Sequence, residues 1–184
     1  LRALAEGEVV SALRSRGLTE ETARRIARLS RGRTGWALRA AADEALLRRR
    51  EERLDQVAGL LAAGREQRFA FAAELATLFS RNREEARTVL ELWQEWWRDL
   101  LLWKAGLGEW TTNRERQPEG EAQASPLQLR EIAAGLRRLE EAAAALEANA
   151  TPRLALDVLM LALPHVAPNS EALAQAQSHA RRET

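Results

Sequence analysis

The chain carries two histidines, His165 and His179, and no cysteine among its 184 residues. Both lie in the C-terminal tail, far from a core that could position them as a metal pair, and no thiolate is present to join them. The lack of cysteine also excludes disulfides and thiolate chemistry. Glu20 with Glu21 and Glu140 with Glu141 are the obvious paired acids. Acid–base work would require a pocket, whereas on helical segments such doublets serve the helix dipole and solvent. Gly32 and Gly35 stand too close together for a phosphate loop, and no Gly-Lys-Ser/Thr follows. With no catalytic constellation, the expectation is a non-enzymatic binding or assembly module with no cofactor, no metal and no small-molecule substrate.

Charged residues leave one alternative open. Arg24, Arg25, Arg28, Arg31 and Arg33 could form a nucleic-acid-binding face, and Arg48, Arg49 and Arg50 could touch phosphate. Against this, Glu51 and Glu52 follow the triple directly, and 28 basic residues are interleaved with 27 acidic ones for a net charge of +1, so no dominant polyanion surface is indicated. No run reaches the roughly 18 apolar residues of a membrane span, and nothing resembles a signal peptide. The expectation is a soluble, cytoplasmic protein without a membrane partner. A start at Leu1, with no initiator Met, suggests a piece trimmed from a longer chain.

The elements that would position any site are helices. Ala, Leu, Glu and Arg dominate and Tyr is absent, which is helix-former usage throughout. A segment from Glu8 to Arg16 ends at Gly17. Thr19 caps a second helix, and Thr34 a third. These three short helices form a unit covering residues 1–48. Asp43 caps a longer helix, closed by Gly64, whose charged middle from Arg48 to Arg53 marks a domain boundary. A second helical domain follows over 49–164. The polar segment TTNRERQPEGEAQASP reads as a mobile loop, with Ser125 and Pro126 starting the next helix. Asn149 and Ala150 form a break, and Thr151 and Pro152 open a helix that is apolar almost all round. Residues 165–184 are a tail, weakly helical or frayed.

Within this frame one helix stands out, from Arg83 to Gly108: Trp93, Trp96, Trp97, Leu100 and Trp103 fall on an arc of roughly 180°, where a surface helix needs only about 100°. Arg87, Glu91, Glu95, Arg98 and Asp99 lie opposite. The helix is either the core of a bundle or buries one flank and offers the other to a second chain, where Trp concentrates binding energy. Lys104 lies inside the apolar arc and Arg153 opens the late apolar helix, with Asp157 as its i+4 partner. The candidate interface residues are Trp93, Trp96, Trp97, Trp103, Lys104, Asn149, Arg153 and Leu156.

The order of GLTEETARRIARLSRGRTGWALRAA, a bridging helix, WRDLLLWKAG (Trp97 to Gly106), a polar loop and NATPRLALDVLM (Asn149 to Met160) resembles the C-terminal two-thirds of the delta-prime subunits of bacterial DNA polymerase III clamp loaders. The likeness covers roughly residues 8 to 164. It implies an all-α chain made of a small three-helix AAA+ lid subdomain followed by a helical-bundle collar domain. The implied partners are the gamma/tau and delta subunits, with the sliding clamp and primed DNA reached only through the whole complex. In the gamma and tau ATPase subunits an arginine of the lid reads the nucleotide phosphates. That position falls here on Gly35, with Arg33 displaced by two residues, which favours delta-prime over a gamma/tau fragment. A self-associating helical scaffold and a helical nucleic-acid-binding domain are the competing readings.

Overall fold

The computed structural model describes residues 5–166. Among them the regular structure is helical: α1 (Glu6–Arg14), α2 (Glu20–Ser30), α3 (Thr34–Ala42), α4 (Glu44–Gly59), α5 (Arg65–Arg81), α6 (Arg83–Lys104), α7 (Gln117–Ala124), α8 (Leu129–Glu147) and α9 (Pro152–Ala162), with 3-10 turns at Gly108–Trp110 and Arg114–Arg116. The chain is all-α, as its residue usage implies. Most of the tail, with His179, lies outside the described residues.

Three helices start on side-chain caps that satisfy otherwise orphaned N–H groups. Thr19 Oγ1 accepts from the Thr22 amide at 3.3 Å, Asp43 Oδ1 from Ala45 at 2.9 Å and Asn82 Oδ1 from Glu85 at 3.1 Å. Three expected boundaries are displaced. Thr34 is the first residue of α3, after Arg33, and caps nothing. Gly64 precedes α5 with an extended backbone, and α4 already ends at Gly59. Ser125 ends α7 instead of starting α8, because the polar segment before it is itself helical. Gln128 opens α8, its amide donating to the Glu131 carboxylate at 2.7 Å.

Two apolar cores result. The smaller gathers Val9, Leu13, Ala23, Ile26, Ala27, Ala37 and Ala40 from α1 to α3, with Leu46 and Leu47 of α4 packed against it. The larger takes Leu54, Val57 and Ala58 from the other end of α4 and continues through α5, α6, α8 and α9. Helix α4 thus contributes to both. Between its ends Arg48, Arg49 and Glu52 stay exposed, but Arg50 is 10% exposed and pairs with Glu95 of α6.

Helix α6 is the axis of the larger core. Trp93, Trp96, Trp97, Leu100 and Trp103 are all nearly inaccessible. Phe71 meets the Trp93 ring edge-on at 5.6 Å, and Trp96 meets Trp103 at 5.3 Å. Close approach to two indoles depends on glycine. A Cβ on Gly135 of α8 would lie 2.0 Å from Cζ3 of Trp97, and one on Gly120 of α7 would lie 2.1 Å from Cζ3 of Trp103. Glycine costs a helix about 1 kcal/mol against alanine, so its presence in two helix interiors reflects this contact.

Candidate docking face and buried junction

Helix α9 has more apolar surface than the other described residues cover. Leu156, Leu159 and Met160 are buried, while Leu154, Val158 and Leu161 are 65%, 57% and 67% exposed. Spacings of four and three put those three on one stripe. The stripe borders an open groove of about 620 Å³ against α8, lined by Ala142, Ala145, Ala155 and Leu159 among others. The charged residues that line it, Arg138 and Glu141, pair with each other at 3.0 Å, and on α9 itself Arg153 pairs with Asp157 at 2.8 Å.

Only some of the residues singled out in the sequence stand near this face. Arg153 is on the same helix, outside the groove lining, paired with Asp157 as the i+4 spacing implies. Leu156 faces the opposite way and is fully buried. The tryptophans Trp93, Trp96, Trp97 and Trp103 are core residues and offer no surface to a second chain; the excess width of their arc is taken up by α5, α7 and α8. Lys104 is exposed, its Nζ donating to the Ser125 carbonyl at the end of α7 at 2.8 Å, a contact that favours cations at helix C-termini. Asn149 adopts φ 63° at the α8–α9 corner, where asparagine tolerates the left-handed region, and its Oδ1 accepts from Arg83 at 3.3 Å. Gly35 is exposed in the first turn of α3, with open space around a Cβ there.

The polar half of α6 departs furthest from expectation. Glu95 and Asp99, read as solvent-facing, are 4% and 0% exposed. The segment expected to be a mobile loop covers them, with Thr111, Thr112 and Asn113 buried in turn. Asp99 accepts from the Thr112 amide at 2.9 Å, the Asn113 amide at 2.8 Å and Asn113 Nδ2 at 2.8 Å. Glu95 Oε1 accepts from Arg50 and from Asn113 Nδ2. From α2, Arg28 donates to the Thr112 carbonyl at 3.0 Å and pairs with Glu115. Burial pushes both carboxyls above their ordinary range, against the opposing pull of Arg50 and of Asn113 on Glu95, and of the Thr112 and Asn113 donors on Asp99.

A second buried cation lies at the far end of the larger core. Arg68 of α5 is 6% exposed and donates to six carbonyls: Leu60, Leu61, Ala63, Met160, Leu163 and Pro164. It ties the end of α4 to the end of α9 with no carboxylate, and its loss of hydration lowers its pKa from the usual guanidinium value. Within REQRFAF nothing distinguishes it from the exposed arginines.

Of the five arginines considered for nucleic acid, four are paired within the chain, and exposed Arg31 has no ion pair among the described residues. Arg24 meets Glu20, Arg25 meets Glu51, Arg28 meets Glu115 and Arg33 meets Glu91. A phosphate would have to displace those four carboxylates, which leaves little of the run as a free basic surface. Among the described residues no cluster of three metal-ligating side chains occurs and no helix is long and apolar enough to cross a membrane. No family model, no curated protein and no solved structure matches the chain.

Proposed function

We propose that the chain is a non-catalytic assembly module of a bacterial clamp loader, corresponding to the lid and collar of a delta-prime subunit. On this reading α1 to α3 form the lid, and α4 to α9 the collar that packs with the gamma/tau and delta subunits. The observation that carries it is the stripe Leu154, Val158 and Leu161 beside the α8–α9 groove, exposed among the described residues. An exposed apolar stripe at helical spacing suits a partner helix laid into the groove. The order of sequence motifs supplies the identity of that partner; the stripe supplies a place for it. Gly35, which carries no charge, agrees with a subunit that does not read nucleotide.

Mixing the chain with gamma/tau and delta subunits and following sedimentation tests the reading. The chain is expected to enter a larger assembly, and Leu154→Glu with Leu161→Glu is expected to weaken that association at least tenfold, a loss of about 1.4 kcal/mol or more. Because both side chains are largely exposed, helical content and melting should be preserved. Failure of the unsubstituted chain to associate, or unimpaired association of the double variant, would overturn the proposal.

A further inference from the structure

The junction between the two cores holds an unequal number of buried charges. Glu95 and Asp99 sit one turn apart on α6, and Asn113 Nδ2 bridges them at 3.2 Å and 2.8 Å. Arg50 of α4 is the one guanidinium buried against them; Arg98, 3.9 Å from Asp99, is 43% exposed. Arg31, at the end of α2, acts on Glu95 from a greater distance, and Arg28 and Glu115 pair with each other across the outside of the segment. Two ionised carboxylates therefore share one buried cation, a combination that low-dielectric surroundings disfavour.

The hydrogen bonds decide where a proton could reside. Asp99 uses both oxygens to accept from N–H groups, so a proton there would face donors. Glu95 receives both of its bonds on Oε1. Its Oε2 accepts no hydrogen bond among the described residues and can carry a proton without breaking either contact. With Glu95 neutral, Arg50 balances the remaining charge of Asp99.

We propose that Thr111 to Arg116 form a proton-linked latch: a proton on Glu95 Oε2 tightens the seat of this strap between α6 and α4, and with it the hold of the α1–α3 unit through Arg28. The inference is independent of the assembly reading, since it concerns contacts within one chain. Its sign is fixed by linkage. The folded chain holds this proton more tightly than the unfolded chain, where glutamate titrates near about 4.3. The contribution to stability is fully present below that value and is lost as pH rises through the folded-state value.

The test compares the chain with Glu95→Gln, whose amide reproduces the protonated carboxyl in shape and donor pattern. Carbon-detected NMR should show the Glu95 carboxyl titrating above the ordinary glutamate range. Amide exchange at Thr112 and Asn113, corrected for intrinsic rates, should slow several-fold in the unsubstituted chain between pH 7.5 and 5, and stay flat in Glu95→Gln. Asp99→Asn, which turns an amide donor toward N–H groups, should expose the strap at every pH. A Glu95 carboxyl titrating at or below the ordinary range, or strap protection with the same pH response in Glu95→Gln, would overturn the latch.

Discussion

Helix α6 buries two unlike faces. One is indole and leucine, closed by α5, α7 and α8; the other is a pair of carboxylates, closed by a strap of three polar residues and one arginine. The apolar face needs complementary shape, and it is met by two glycines that let α7 and α8 lie directly on indole rings. The polar face needs complementary donors, and every one comes from another segment. Apolar burial tolerates an approximate fit at moderate cost, whereas a buried carboxylate that loses its partner keeps the full penalty of desolvation. The two faces should therefore break in different ways.

The largest effect is expected on the polar face. Arg50→Met strands Glu95 without its cation and should destabilise the chain by about 3–5 kcal/mol in urea unfolding. Adding Glu95→Met should restore much of that loss, since an apolar pair of similar volume replaces the charges. If the single variant unfolds like the original chain, the carboxylate face is not held as described. If the double variant is no better than the single, the penalty comes from lost packing and not from a stranded charge.

This asymmetry also governs what was legible. The apolar face of α6 follows from a 3.6-residue period within one segment, so Trp93, Trp96, Trp97 and Trp103 could be placed on one arc before any fold was known. Whether that arc met this chain or another could not be read from it, because the answer lay in Gly120 and Gly135, whose role exists only once α7 and α8 are packed. Glu95 and Asp99 obeyed the pattern of a solvated face; their donors lie 13 or more residues further on, or 45 residues back at Arg50. Arg68 was hidden for the same reason, since its partners are backbone carbonyls, which carry no residue signature. The caps Thr19 and Asp43 were legible because each acts within three residues.

A smaller effect should sharpen the apolar side. Gly135→Ala forces a methyl into the Trp97 ring, at 2.0 Å from Cζ3. Overpacking of this kind costs about 1–3 kcal/mol, which exceeds the roughly 1 kcal/mol that alanine gains in a helix. Gly35→Ala is the matched control, with no atom within 4 Å of its Cβ, and should leave the chain unchanged or more stable by up to about 1 kcal/mol. Thermal melting that shifts both variants in the same direction would show that helix propensity, and not the indole contact, sets the outcome at Gly135.

The smallest effect belongs to a carboxylate on the outside of the same helix pairing. Glu147 of α8 accepts from Arg87 of α6 in full solvent, and this hydrogen bond holds its carboxyl below the usual range. The sign is opposite to that of Glu95: the folded chain holds the Glu147 proton less tightly than the unfolded one, so its contribution is present above the ordinary glutamate pKa and is lost as pH falls through the lowered value. Exposure and salt screen the pair, so Glu147→Gln should change urea unfolding little at neutral pH and not at all in high salt. The informative quantity is the difference between each glutamine variant and the original chain as pH falls. For Glu95→Gln the original chain should gain on the variant; for Glu147→Gln it should lose. Two curves of the same slope would mean that burial does not separate these carboxylates, and the contrast between the faces of α6 would lose its electrostatic half.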